Sequence, residues 1–466
     1  MSETQQGESG LTPAQRRTVI GLAILVVIVF AALAGFVVNS TRSLQRLVPT
    51  PAPPPTDQPP SPTPAPPTDT PAAPTTDDAV LPQVRAARLF EQIAHQVETL
   101  RGLSPSAEVP LSFLDEPDMA ELLRSQHLAR GPQLRVLPQA LLDLLPEATP
   151  VLNARPVAAV YAWEQRQIFM TVSAGEHNTD DQALMARAYA QALVDQRFNL
   201  SAMDARATTT DARLAMDALE AGDGLLLMAL YRGQDPVSAD WDALVALAQR
   251  DLPTYGPDIE AAPAWSRLRD FPYREGRAFA QALFEAEGWE AINRAYSDPP
   301  RSTEQVLHPE RYLGARDEPS WITLPDLRRT LGPGWTLVAQ DTLGEFVFGL
   351  YLEQTLSGHL AWRAADGWDG DLFAVWGNED GGRVLIWRTV WDHPSEASEA
   401  EWALTALIPH RYGPTAALEP LAGHTGHWWL GDEATGAFAV YRLARYVTMV
   451  QAPNAQMLAQ VVEALP

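Results

Sequence analysis

Leu184–Leu200 reads LMARAYAQALVDQRFNL, an amphipathic helix that closes on the run Asp195-Gln196-Arg197-Phe198-Asn199-Leu200. Upstream, Val157–Tyr161 and Gln167–Val172 flank the polar turn Glu164-Gln165-Arg166, the pattern of a β-hairpin. Downstream, Thr208–Tyr231 predicts a second long helix, with a break expected at Gly222-Asp223-Gly224. A hairpin set between helices gives the fold class, α+β.

The pattern extends in both directions. Pro82–Leu103 has helical periodicity through Val84, Ala87, Leu89, Ile93, Val97 and Leu100. Leu111–Leu114 is a short strand candidate, and Asp118–Leu128 and Leu134–Leu145 predict helices. Further helices are expected over Ser238–Arg250 and Gly276–Ala286. After Trp335 the character turns to alternating apolar residues at Asp371–Trp376, Arg383–Val390 and Ala437–Val450, which read as antiparallel strands. Helices near Glu396–Leu407 and Asn454–Leu465 complete a strand-rich α+β C-terminal region.

Val19–Val38, VIGLAILVVIVFAALAGFVV, holds no charged residue. Its length as a helix is roughly 30 Å, the hydrocarbon thickness of a bilayer. Arg16 and Arg17 precede it and Arg42 and Arg46 follow it, so the positive-inside count is nearly tied. Its N-terminal position and the long acidic chain behind it predict an uncleaved signal-anchor, with the C-terminal part outside the cytoplasm. Cleavage after Ala32-Leu33-Ala34 is the alternative. Pro49–Ala79 is rich in Pro, Thr and Asp and too poor in apolar residues to fold, which makes it an extended stalk. The expected organisation is thus a cytoplasmic 1–18, a transmembrane 19–38, a stalk 39–79, a helical domain 80–320 and a strand-rich 321–466.

Composition excludes several functions. The formal charge is −24, from 58 acidic against 34 basic residues, and every basic residue is arginine. No basic stripe exists for phosphate binding, so no nucleic-acid partner is expected. Without cysteine, disulfides, Cys-ligated metals and a thiol nucleophile are ruled out. No G-x-S-x-G, P-loop or G-x-G-x-x-G lies in a strand–turn–helix context. His424-Thr425-Gly426-His427 is a close histidine pair whose glycine and adjacent Trp428-Trp429 suggest a turn entering a strand. His177 reads as a solvated loop residue and His308 as a packing and hydrogen-bonding one. Trp362, Trp368, Trp376, Trp387 and Trp391 read as core and edge packing rather than a carbohydrate groove.

The 184–200 helix resembles the active-site helix of a family of surface-anchored, zincin-like metallopeptidases of bacteria and archaea. That helix typically reads H-E-[YF]-T-H-A-L-Q-D-Q-H-F-D-L. Tyr189, Ala192, Leu193, Asp195, Gln196, Phe198 and Leu200 match it. So do Leu100-Arg101-Gly102-Leu103, Asp211–Ala215, Phe271-Pro272-Tyr273 with Gly276, Gly288-Trp289, Asn293–Tyr296, Ser302–Gln305 and His308–Tyr312. The resemblance implies a zincin-like helical core with the hairpin over the motif helix.

It also implies a zinc site that this chain has lost. Arg187 and Gln191 stand where the family has its two histidines, Ala188 where it has the general base, and Ala221 where it has the third ligand. Arginine is always protonated and offers no lone pair to a metal. No catalytic residue, metal or cofactor is therefore expected at these vestigial positions. Arg187, Gln191 and Asp223 remain as ligand-binding candidates. Arg187 would either put a fixed charge toward a ligand's carboxylate or Asp223, or fill the vacated pocket with an internal pair. Three functions follow as expectations. The first is a pseudo-metallopeptidase binding a peptide or cell-envelope partner. The second is a hydrolase using other metal ligands, and the third is a structural envelope protein.

Overall fold

The computed structural model of the chain describes residues 82–130, 157–171, 177–252, 263–413 and 415–466. Val19–Val38, the Pro49–Ala79 stalk and the predicted Leu134–Leu145 helix lie outside these residues. The described residues cluster as one compact unit.

The helical part opens with α1 (Pro82–Arg101), β1 (Leu111–Leu114) and α2 (Glu116–Arg130), followed by β2 (Ala159–Ala162) and β3 (Gln167–Thr171). β2 and β3 pair antiparallel as the hairpin, and β1 adds parallel to β3, giving the order β1-β3-β2. Next come α3 (Thr179–Phe198), α4 (Leu200–Asp204), α5 (Thr210–Tyr231) and α6 (Trp241–Ala248). A second group holds α7 (Pro263–Glu287), α8 (Trp289–Ser297), α9 (Thr303–Leu307) and α10 (Pro309–Leu313).

α3, the motif helix, starts on a capping box in which Asn178 accepts from the backbone of Asp180 and Asp181 while Asp181 accepts from Asn178. It stops at Asn199, whose left-handed backbone (φ 59°) turns the chain into α4. α5 runs without interruption through Gly222-Asp223-Gly224, so the break expected there does not occur. The helix is apolar on most of its circumference because it is buried on most of it, between α3 on one side and α7 on the other. Those neighbours satisfy sterically what the glycines leave open, and tertiary packing overrides their low helix propensity.

The C-terminal part holds α11 (Arg328–Leu331), β4 (Thr336–Asp341), α12 (Gly344–Glu353), α13 (Gly358–Ala365), β5 (Trp368–Gly377), β6 (Arg383–Trp391) and α14 (Pro394–Arg411). It ends with β7 (Ala416–Leu418), β8 (His427–Leu430), β9 (Ala437–Leu443), β10 (Tyr446–Ala452) and α15 (Ala455–Ala464). The seven strands form one antiparallel sheet in the order β4-β5-β6-β10-β9-β8-β7. Along β6, Leu385, Trp387 and Trp391 face one core while Val384 and Ile386 face another. Helices cover both faces, which is why the central strands carry apolar residues at consecutive positions. The Ala437–Val450 segment divides into β9 and β10 at Ala444, which takes a positive φ of 54°.

The fold is therefore mixed helix and sheet, and the expected N-terminal transmembrane helix is the part that needs correcting. The largest core runs from Val194 and Leu219 in the helices to Trp387 and Met449 in the sheet, and a smaller one lies wholly after residue 321, between Leu327 and Leu465. The N-terminal transmembrane helix is not supported: among the described residues no helix is long and apolar enough to cross a membrane. Even α5, the long apolar one, carries Asp211, Arg213, Asp217, Glu220 and Asp223 and is covered by other helices.

Candidate functional site

α3 brings Arg187 and Ala188 to its buried side and leaves Gln191 partly exposed. The Arg187 guanidinium donates from Nη1 to the carbonyl of Ala248 at the end of α6, at 2.9 Å. Its aliphatic part lies over Gly224 of α5, where an added Cβ would sit 3.3 Å from Arg187 Cγ. Arg187 thus faces α5, the helix that also carries the partly buried Ala221. The Arg187 side chain is spent on the fold. A Zn²⁺ ion held at this position would need donors with free lone pairs, and this side chain supplies a cation instead. The residues at the vestigial positions do not fit the metal.

Asp223 points elsewhere. Both its oxygens pair with Arg101 of α1, Nε to Oδ1 at 3.1 Å and Nη2 to Oδ2 at 3.2 Å. Arg101 is fully buried, donates to Asn293 Oδ1 at 2.9 Å and stacks over the Trp289 ring at 4.3 Å. Trp289 Nε1 in turn donates to the Leu100 carbonyl at 2.6 Å. Burial drives the Tyr296 hydroxyl well above its ordinary range, and the negative charge of Asp223 adds to the rise. Arg101, Trp289, Asn293 and Tyr296 belong to the segments quoted for the resemblance, and Asp223 lies two residues past Ala221. Together they lock α1, α5 and α8.

The matched residues of α3 have local tasks as well. Asp195 is buried and accepts from Tyr161 Oη of the hairpin at 2.6 Å and from the Leu200 amide at 2.9 Å. Gln196 takes the amides of Ser106 and Ala107 and donates back to the Ala107 carbonyl, which fixes the loop after α1. Phe198 stacks on Tyr296 with ring centroids 5.2 Å apart. None of these contacts requires a metal.

A second polar concentration sits where the helices meet the sheet. Asp211, at the start of α5, accepts from the Thr303 amide at 2.7 Å and its hydroxyl at 2.6 Å. Asp371 of β5 accepts from the amides of Leu343 and Gly344 and from Trp368 Nε1. Gly344 has φ +86°, and a Cβ there would drive into the Asp211 carboxylate, so only glycine fits between the two acids. Glu345 follows, with Oε1 3.0 Å from His308 Nε2. Beyond it, Arg311 contacts Glu304, Asp317 at 3.1 Å and Asp392 at 2.8 Å.

Burial pushes the Asp211 carboxyl up to about 8, with Thr303's two bonds opposing the rise and the Asp371 and Glu345 charges adding to it. Burial also raises Asp371 to about 7, against the bonds from Leu343 and Gly344. In the unfolded chain both groups titrate near 4. From about pH 4 to pH 8 the unfolded chain releases protons that the folded chain retains, so stability falls as pH rises. Asp211→Asn keeps an acceptor for Thr303 and removes the ionisation. Its stability relative to wild type should rise between pH 5 and pH 8, by on the order of 3 kcal/mol. Urea unfolding at the two pH values measures this; a flat or falling difference would mean that Asp211 stays ionised and paired.

The remaining candidates do not join these clusters. His427 stacks on Trp429 with centroids 6.0 Å apart, and Gly426 (φ 106°) forms the turn before it. His177 receives Gln182 at its carbonyl. Trp368, Trp387 and Trp391 are fully buried in the main core, while Trp362 stacks beside Phe346. Among the described residues, three-membered groups of His, Asp and Glu able to hold a metal occur at His308/Glu345/Asp366 and at Glu304/Asp317/Asp392, neither involving α3. Neither Glu345 nor Asp366 stands in a recognisable motif. The available signal was a charged residue, Glu345, heading the otherwise apolar run of α12.

Residues 334–462 match a family described as a domain of unknown function, DUF8575. The match covers the sheet from β4 into α15 and lies wholly C-terminal to α1–α10. No curated protein and no solved structure matches the chain.

Proposed function

We propose that this protein is a non-catalytic relative of the zincin-like metallopeptidases, one that binds a peptide segment of a partner instead of cleaving it. The supporting observation is Arg187, which stands at the first ligand position and spends its guanidinium on the Ala248 carbonyl. Ala188 removes the carboxylate that would polarise water, and Asp223 is engaged by Arg101. The residues common to this chain and the family, Arg101, Asp195, Gln196 and Phe198, all serve packing and caps. A scaffold kept under these constraints suits recognition, with Gln191 on the partly exposed side of α3 as a contact residue.

Incubation of the full chain with fluorogenic peptides should give no turnover, with or without a chelator. Arg187→Ala should cost about 1–3 kcal/mol of stability, because the buried Ala248 carbonyl loses a donor. It should leave the affinity for an unfolded polypeptide such as reduced casein unchanged, since Arg187 faces inward. Chelator-sensitive hydrolysis that depends on α3 would overturn the reading, as would failure of any unfolded polypeptide to bind.

A further inference from the structure

We propose that His308, Glu345 and Asp366 form a binding site for one divalent transition-metal ion, with Zn²⁺ the ion their donors suit. One ligand atom from each lies within 4.8 Å of the other two. His308 Nε2 is 3.0 Å from Glu345 Oε1 and 4.0 Å from Asp366 Oδ1. Donors held at about 2.0–2.2 Å from a tetrahedral zinc stand roughly 3.3 Å from one another, so small side-chain rotations close the shell. One imidazole and two carboxylates are a donor set that zinc accepts, and three protein ligands leave a coordination position for water.

A second observation points to a ligand independently. Glu345 is 3% exposed, yet its Oε2 has no hydrogen-bond partner, although it belongs to the same carboxyl group that meets His308. A buried acceptor without a donor is costly and rare in a well-packed protein, and a cation beside it supplies what is missing. Asp211 Oδ2, on a carboxyl that the Glu345 charge helps to raise, is orphaned in the same way. Glu310 Oε1 adds negative charge 3.9 Å from His308 Nδ1. Arg311, whose charge reaches Glu345, makes its own ion pairs with Glu304, Asp317 and Asp392.

The ligands are held by the ends of short elements. His308 links α9 to α10 and is followed by Pro309 at the first helical position. Glu345 sits in the first turn of α12, and Asp366 caps α13, its amide bonded to the Trp362 carbonyl at 3.1 Å. His308 and Asp366 have side chains 28% and 63% exposed, which gives an ion a way in from solvent. The site lies on elements other than α3, so it stands or falls apart from the pseudo-metallopeptidase reading.

The test is a titration of tag-free, chelator-treated full chain with ZnCl₂, followed by calorimetry and elemental analysis. One equivalent should bind, with affinity at least tenfold weaker in His308→Ala and in Asp366→Asn. The second change alters an exposed residue and guards against misfolding of the first. No zinc on the wild type would overturn the proposal, and so would binding that both variants retain at full affinity. Peptide binding by the zinc-free chain reports on the earlier reading alone.

Discussion

Gly276→Ala should unfold the helical core more readily than any substitution at the vestigial zinc positions. α5 and α7 cross with their backbones in contact: a Cβ on Gly276 would press into the Ala218 carbonyl, with Ala218 Cα 2.8 Å away. Gly222 faces the reciprocal clash with the Gly276 carbonyl, and Ala280 Cβ would lie 2.8 Å from its added methyl. Neither obstruction is a flexible side-chain end, so relief requires the helices to separate. Leu219, Leu226, Phe279 and Leu283 are fully or almost fully buried in that core and would all lose packing. Helix propensity alone predicts the opposite sign, a gain of about 1 kcal/mol for Gly→Ala. Overpacking against rigid backbone should outweigh it and leave a net loss of roughly 3 kcal/mol or more. For a chain this size the melting temperature should fall by about 4 °C or more. A melting temperature equal to or above wild type would show that the helices do not cross at this distance.

The same crossing explains what could and could not be read from sequence. Ala221-Gly222-Asp223-Gly224 resembles a helix breaker locally, because glycine in isolation weakens a helix. Its meaning is tertiary: successive residues turn about 100°, so Gly222 meets α7 while Gly224 lies on the opposite side under Arg187. The hairpin ahead of α3 was legible because alternation and a polar turn are local signals. Asp195 and Gln196 were visible as residues worth keeping, but their partners Tyr161, Ser106 and Ala107 lie tens of residues away. Arg101 as the partner of Asp223 was out of reach for the same reason, at a separation of 122 residues. The acids around Gly344 come from α5, α12 and β5 and their partner Thr303 from α9, and no single window contains two of the long-range pairs.

Arg101→Met should destabilise the chain by about 3–5 kcal/mol, because it leaves the Asp223 carboxylate buried without its cation. The expectation follows from geometry: the pair is doubly hydrogen-bonded, with side-chain exposures of 0% and 5%, so water cannot replace the guanidinium. Methionine has a similar reach and keeps contact with the Trp289 ring, which confines the loss to charge and hydrogen bonds. The informative variant is the double one. Arg101→Met with Asp223→Asn removes both charges and keeps a carbonyl oxygen at the position from which Asp223 raises the Tyr296 hydroxyl in the wild type. It should recover more than half of the single-mutant loss, since a buried ion pair returns little more than its own desolvation. Urea midpoints of the two single variants and the double give the coupling directly. Additive losses would mean that Arg101 acts through Asn293 and Trp289, and that α1 is held to α8 rather than to α5.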